Sequence, residues 1–132
     1  MAAYKVLPGR VYTSEDTWAY QAGNGKIRFG ITDYAQQQLK EIVYLDLPAA
    51  GKAVAKGASI GEVESIKSVS DLYCPAGGTV SAINQAAVED PALLNRDPYG
   101  EGWIVELDCP DFAGDVADQM DSEGYMALLA DK

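Results

Sequence analysis

Histidine is absent from the 132 residues. The side chain most often used for proton transfer near neutral pH is therefore missing, together with the commonest zinc ligand. Serine and cysteine triads have no base. Only two cysteines occur, Cys74 and Cys109, and they form no CxxC pair, which removes zinc knuckles and thioredoxin-type sites. A disulfide between them is unneeded in a reducing compartment. Basic residues are also scarce, ten Lys and Arg against twenty Asp and Glu, leaving a formal charge of −10. Nucleic acid and anionic membranes are bound by clustered cations that replace counterions, so neither is an expected partner. The acidity serves solubility first and attraction to basic surfaces on other proteins second. No apolar run approaches the roughly 18 residues of a membrane span, and Met1-Ala2-Ala3-Tyr4-Lys5 lacks the apolar core of a signal peptide. These absences lead us to expect a cytoplasmic protein with no metal site, no catalytic residues and no turnover of its own.

What is present is ordinary globular material, 48% hydrophobic and 23% charged, in a length that suits one domain over residues 1–132. Short alternating runs punctuated by Gly, Pro and Asn fill the first two-thirds. Residues 26–31 alternate with Ile27, Phe29 and Ile31 on one face, and Asn24-Gly25 before them suits a tight hairpin back to residues 18–22. Asp33 reads as the cap of a short helix, with Gln36 three residues on completing a capping box. Residues 42–47 form another strand, with Val43, Leu45 and Leu47 on one face, ending at Pro48. After a loop over 49–57, residues 60–66 and 69–73 read as two strands, and 79–83 as a further one after the Gly77-Gly78 turn. Asp90-Pro91 opens a short helix. Residues 103–107 read as the last core strand, and beyond Pro110 the three- and four-residue spacing of Phe112, Val116, Met120, Tyr125, Leu128 and Leu129 is helical. Trp18, Phe29, Tyr99 and Trp103 are expected in the core. The fold class is mainly β, an antiparallel sandwich or flattened barrel with peripheral helices, including a C-terminal one.

The segment that carries chemistry is Glu62-Val63-Glu64-Ser65-Ile66-Lys67-Ser68-Val69-Ser70-Asp71. If residues 60–66 pair with 69–73, Lys67 sits at the hairpin tip with its stem projecting from the sheet. A lysine in a strand turn is ordinarily one more solvated cation, but an exposed amine on a rigid turn also suits acylation by another enzyme. Glu62, Glu64, Ser65, Ser68 and Asp71 are the candidates for recognition by that enzyme. The run Glu64-Ser65-Ile66-Lys67-Ser68-Val69-Ser70-Asp71 resembles the lipoyl-attachment motif of glycine-cleavage H proteins, a Glu-Ser-Val-Lys core followed by Ser-Asp. Three more blocks are similar to that family: Gly30-Ile31-Thr32-Asp33-Tyr34-Ala35-Gln36, Ile42-Val43-Tyr44-Leu45-Asp46-Leu47-Pro48, and Asn95-Arg96-Asp97-Pro98-Tyr99-Gly100-Glu101-Gly102-Trp103.

The resemblance implies a barrel-sandwich hybrid of two antiparallel sheets, with lipoic acid covalently bound to Lys67 at a hairpin tip. It implies modification by a lipoate ligase or octanoyltransferase, and a non-catalytic carrier that presents its arm to successive enzymes. A biotin carrier would have methionines on both sides of the lysine, where Ile66 and Ser68 stand. One departure bears on the pathway. The family's Glu-His-Glu-Trp is Glu15-Asp16-Thr17-Trp18 here, and the resemblance implies that the glutamate replaced by Thr17 helps hold an amine-loaded arm against the body. Thr17 offers only neutral hydrogen bonding. On this ground the expectation leans to a sulfur-carrying relative that serves a heterodisulfide-reductase-like complex. The alternative is glycine cleavage, with glycine decarboxylase, aminomethyltransferase and dihydrolipoamide dehydrogenase as partners. Cys74 is expected to be a packing residue, though it stands just beyond the hairpin.

Overall fold

A computed structural model of the chain describes residues 4–131. Met1, Ala2 and Ala3, the start of the stretch expected not to form a signal peptide, lie outside the described residues, as does Lys132. In chain order the elements are β1 (Val11–Tyr12), β2 (Thr17–Gly23), β3 (Lys26–Ile31), α1 (Asp33–Leu39), β4 (Ile42–Asp46), β5 (Ala53–Val54), β6 (Ser59–Ser65), β7 (Val69–Tyr73), β8 (Gly78–Ile83), α2 (Gln85–Glu89), α3 (Leu93–Arg96), β9 (Val105–Asp108), α4 (Phe112–Asp115) and α5 (Ser122–Ala130). The strands make two antiparallel sheets, one ordered β1-β2-β3-β9-β8-β5 and one ordered β4-β6-β7. Their inner faces enclose one apolar core in which Ile27, Phe29, Leu45, Val63, Leu72, Val80 and Leu107 are buried. This is the expected two-sheet, mainly β architecture with outer helices. Among the described residues no helix is long and apolar enough to cross a membrane.

A second buried cluster fixes the C-terminal helix. Tyr125 and Leu129 of α5 pack with Tyr12, Trp18 and Tyr99, and the rings of Tyr12 and Tyr125 stack at 4.8 Å. The Trp18 indole N–H donates to the carbonyls of Ile31 (2.9 Å) and Pro98 (3.0 Å), so the largest buried ring is fully satisfied where an orphan donor would be costly. Trp18, Phe29 and Tyr99 are core, as expected. Trp103 is only half-buried and lies beneath the Arg28 guanidinium, 4.3 Å from its ring centroid.

Several expectations need correction. The cap of α1 is Thr32, whose hydroxyl accepts from the Ala35 N–H, while Asp33 is the first helical residue and its carboxylate accepts from the Gln36 and Gln37 side chains. Both residue types cap helices, and the pattern places the boundary one residue late. In β4 the pairing with β6 shifts between Ile42 and Tyr44. This irregularity turns Ile42 and Leu45 inward and leaves Val43 48% exposed, against the expected Val43/Leu45/Leu47 face. The helix expected from Asp90-Pro91 starts at Leu93, and α2 precedes it. The last core strand is Val105–Asp108, without Trp103. The tail is two helices, because Asp111 and Asp121 each cap a new start through their carboxylates.

In the central strand of the smaller sheet, Gly61 of β6 runs directly against β4. A Cβ there would overlap the Asp46 carbonyl, a backbone atom that cannot swing aside. Gly61→Ala is therefore expected to lower stability by about 1–3 kcal/mol, the range for overpacking. Urea unfolding followed by far-ultraviolet circular dichroism checks this, and an unchanged midpoint would show that β4 and β6 can separate freely.

Candidate functional site

The pairing of β6 with β7 ends at Glu64 opposite Val69. Residues 65–68 then make the turn, and Ser65 holds it from inside. Its N–H donates to the Ser68 carbonyl at 2.8 Å. Its hydroxyl donates to that same carbonyl and accepts from the N–H groups of Lys67 and Ser68, each at 3.1 Å. The turn is also tied to the body, because the Ile66 N–H donates to the Glu41 carbonyl at 2.9 Å. Lys67 is exposed at the tip as expected. Its ammonium lies 3.4 Å from the carbonyl of Gln38 in the last turn of α1, a helix end that favours a cation.

The candidates near Lys67 divide by role. Ser65 and the Ser68 backbone build the turn, whereas Glu62, Glu64 and Asp71 stand together on the outer face of the smaller sheet, since Glu62 pairs with Asp71 and Glu64 with Val69. Asp71 also accepts from Ser59 Oγ at 3.0 Å.

On the inner side of the hairpin, beside the Gln38 carbonyl that Lys67 reaches, lies a cleft of about 140 Å³. Ile31, Leu39 and Val63 give it an apolar lining, and Glu15 and Asp16 are the acidic residues on its other wall. The positions of the sequence departure, Asp16 and Thr17, both line it. Thr17 is 2% exposed, and its hydroxyl is bonded to that of Thr13 at 2.6 Å. Asp16 sits at φ 64°, a left-handed conformation that Asp and Asn tolerate better than most residues. The hydroxyl of Tyr125, from α5, donates to its carboxylate at 2.8 Å and is itself 2.7 Å from Thr32 Oγ1. Burial pushes the Tyr125 phenol well above its ordinary range, so it stays a neutral donor beside Asp16. Sequence reading identified Asp16 but not its holder, 109 residues away.

Cys74 is 2% exposed, and its S–H points at the Ala76 carbonyl. Burial pushes the thiol up to about 11. It is therefore a packing residue, unsuited to thiol exchange, which requires the thiolate. Cys109 is likewise buried and free. Among the described residues no group of three or more Cys, Asp or Glu is placed to hold a metal ion.

The arrangement fits a lipoyl group on Lys67. The amine is exposed on a pinned turn, and the adjoining cleft offers apolar surface for a hydrocarbon arm and carboxylates for a cationic end.

The chain matches the family model described as glycine cleavage H-protein over residues 10–132. It is 48% identical over 122 residues to a protein of Mycolicibacterium vanbaalenii named glycine cleavage system H protein, with 91% of this chain and 93% of that one covered. A Thermus thermophilus protein of the same name is 44% identical over 120 residues, covering 91% and 92%. The crystal structure of a glycine cleavage system H protein from Mycobacterium marinum superposes with a TM-score of 0.85 at 38% identity, covering 94% of this chain and 99% of that one. With the family model spanning nearly the whole sequence and the fold shared, the chain belongs to the glycine cleavage H-protein family, non-catalytic carriers that hold lipoate covalently on a lysine.

Proposed function

We propose that Lys67 is the lysine that carries lipoate, and that the chain takes the aminomethyl fragment of glycine from glycine decarboxylase to aminomethyltransferase. Dihydrolipoamide dehydrogenase is the partner that reoxidises the arm. The observation that carries this reading is the position of Lys67, at the tip of a pinned hairpin beside an acid-lined cleft. Once attached, the lipoyl group would supply a disulfide whose S–S bond opens as one sulfur accepts the one-carbon amine and the other becomes a thiol. The remaining work falls to the chain's own residues. Ser65 and the Ile66–Glu41 bond hold the attachment point still. Glu62, Glu64, Ser65, Ser68 and Asp71 form the environment that the lipoate ligase or octanoyltransferase meets. Asp16, oriented by Tyr125, gives the cleft a carboxylate that pairs with a protonated amine more strongly than a neutral acceptor does.

The lean toward a sulfur carrier for a heterodisulfide-reductase-like complex is withdrawn. Each relative named above is a glycine cleavage system H protein. The charge lost at Thr17 is also compensated next door, where Asp16 lines the same cleft. The two free thiols suit a reducing, cytoplasmic setting.

Intact mass and peptide mapping after incubation with a lipoate–protein ligase are expected to find one lipoyl group, on Lys67, and none on the Lys67→Arg variant. The loaded chain is expected to support exchange of the glycine carboxyl carbon with labelled bicarbonate in the presence of glycine decarboxylase; absence of exchange would remove the glycine assignment.

Asp16→Asn separates charge from geometry. Asn tolerates the left-handed backbone and can still accept from the Tyr125 hydroxyl, so the thermal midpoint should move little, within the roughly 0.5 kcal/mol typical of surface changes. The amine-loaded form should lose its cargo faster than wild type, followed by intact mass over time. Equal lifetimes would show that the Asp16 charge does not hold the amine.

A further inference from the structure

Among the described residues five large apolar side chains stand exposed, and four of them, Val43, Tyr44, Ile66 and Val69, surround the Lys67 turn. Two lie in one cross-strand row on the outer face of the smaller sheet, where Tyr44 pairs with Glu64 and Glu64 with Val69. The next row on that face is Asp46, Glu62 and Asp71. Like charges directly opposite one another destabilise a sheet, yet β4, β6 and β7 contain no Lys or Arg. The four ion pairs among the described residues, Lys26–Asp108, Arg28–Glu106, Lys56–Asp118 and Arg96–Asp90, all lie outside this sheet. The face thus joins exposed apolar area to uncompensated acid, a combination that a partner with the opposite charge would relieve.

We propose that this face is the docking surface for the enzyme that attaches lipoate to Lys67, and that the enzyme meets it with an apolar recess edged by Lys and Arg. Tyr44 and Val69 enter the recess, and Asp46, Glu62 and Asp71 meet the cations. This rests on Lys67 being the attachment site, and it extends recognition to β4, outside the segment around the lysine. A second copy of the chain fits poorly, because two such faces would bring acid rows of the same sign together. The attaching enzyme is favoured over those that act on the loaded arm for a geometric reason. The lysine amine itself must reach bond-forming distance, with only its own stem as spacer, so that enzyme's surface must close on the residues around the turn. An enzyme that acts on the far end of the arm can stand off.

The test uses the full unmodified chain, a purified lipoate–protein ligase, lipoate and ATP, at several salt concentrations. For the wild type, KM for the chain should rise with ionic strength. Tyr44→Ser combined with Val69→Ser should raise KM about tenfold with little change in kcat, as for loss of a buried interface anchor. Tyr44 is 54% and Val69 53% exposed, so the fold should persist. Asp46→Asn combined with Glu62→Gln removes like charges from one row and leaves the fold unthreatened; it should raise KM at low salt and flatten the salt dependence. Wild-type KM values for both variants would overturn the proposal. So would a concentration-dependent dimer of the wild-type chain that Tyr44→Ser with Val69→Ser abolishes, since the face would then belong to a second copy. A wild-type chain modified on another lysine would overturn the assignment of Lys67 itself, and with it the proposal.

Discussion

The hydroxyl of Ser65 is the small group on which the presentation of Lys67 depends. It accepts two N–H groups and donates to one carbonyl within the four-residue turn. A tight turn at the end of a sheet exposes polar backbone that water would otherwise solvate in many conformations. Satisfying that backbone internally selects one of them. A second bond, from Ile66 to Glu41, extends the selection to the hairpin as a whole by tying its tip to the segment that leads into β4. The lysine is then mobile beyond its Cα and fixed behind it.

The body of the protein serves the same end from the other side. The smaller sheet has an inner face of Ile42, Leu45, Val63 and Leu72 committed to the core, and this anchors β6 and β7 up to the turn. The larger sheet carries Thr17 and Ile31 to the cleft wall, and Tyr125 of α5 reaches the cleft's Asp16 from behind. A buried hydroxyl bonded to both Thr32 and Asp16 couples the C-terminal helix to the cleft. The aromatic cluster therefore has a directional consequence as well as a packing one, because the position of α5 decides where the Asp16 carboxylate points.

Much of this was legible in the residues. The Asn24-Gly25 hairpin, the paired strands around Lys67 and the strand after Gly77-Gly78 follow from alternation and turn chemistry, and they recur in β2, β3, β6, β7 and β8. The exposed Lys67 turn was legible because its neighbours in sequence are its neighbours in space. Elsewhere local pattern failed for identifiable reasons. The two-residue strands Val11–Tyr12 and Ala53–Val54 are too short to show a period. The irregularity at Val43 breaks the alternation that the sequence offers, since a bulge adds a residue without any distinctive side chain. The loss of a glutamate at Thr17 was legible by comparison with the motif, and Asp16 stood beside it as a candidate substitute acid. The hydroxyl that bonds the Asp16 carboxylate lies at position 125, and no local rule connects the two. The exposed row of Tyr44, Glu64 and Val69 needed the register of three strands before it existed as a surface.

For the arm proposed on Lys67, the tether from Ile66 to Glu41 also sets the scale of its reach. With its pivot immobile, a flexible side arm sweeps a bounded shell whose radius is its own length, and the hairpin adds no further wandering. A partner seated against the protein then meets the arm's end at an effective concentration in the millimolar range that short flexible linkers provide, whatever the concentration of the protein in solution. A slack hairpin would enlarge that shell and dilute the encounter. One backbone hydrogen bond at 2.9 Å thereby bears on the rate at which a distant reactive end is found.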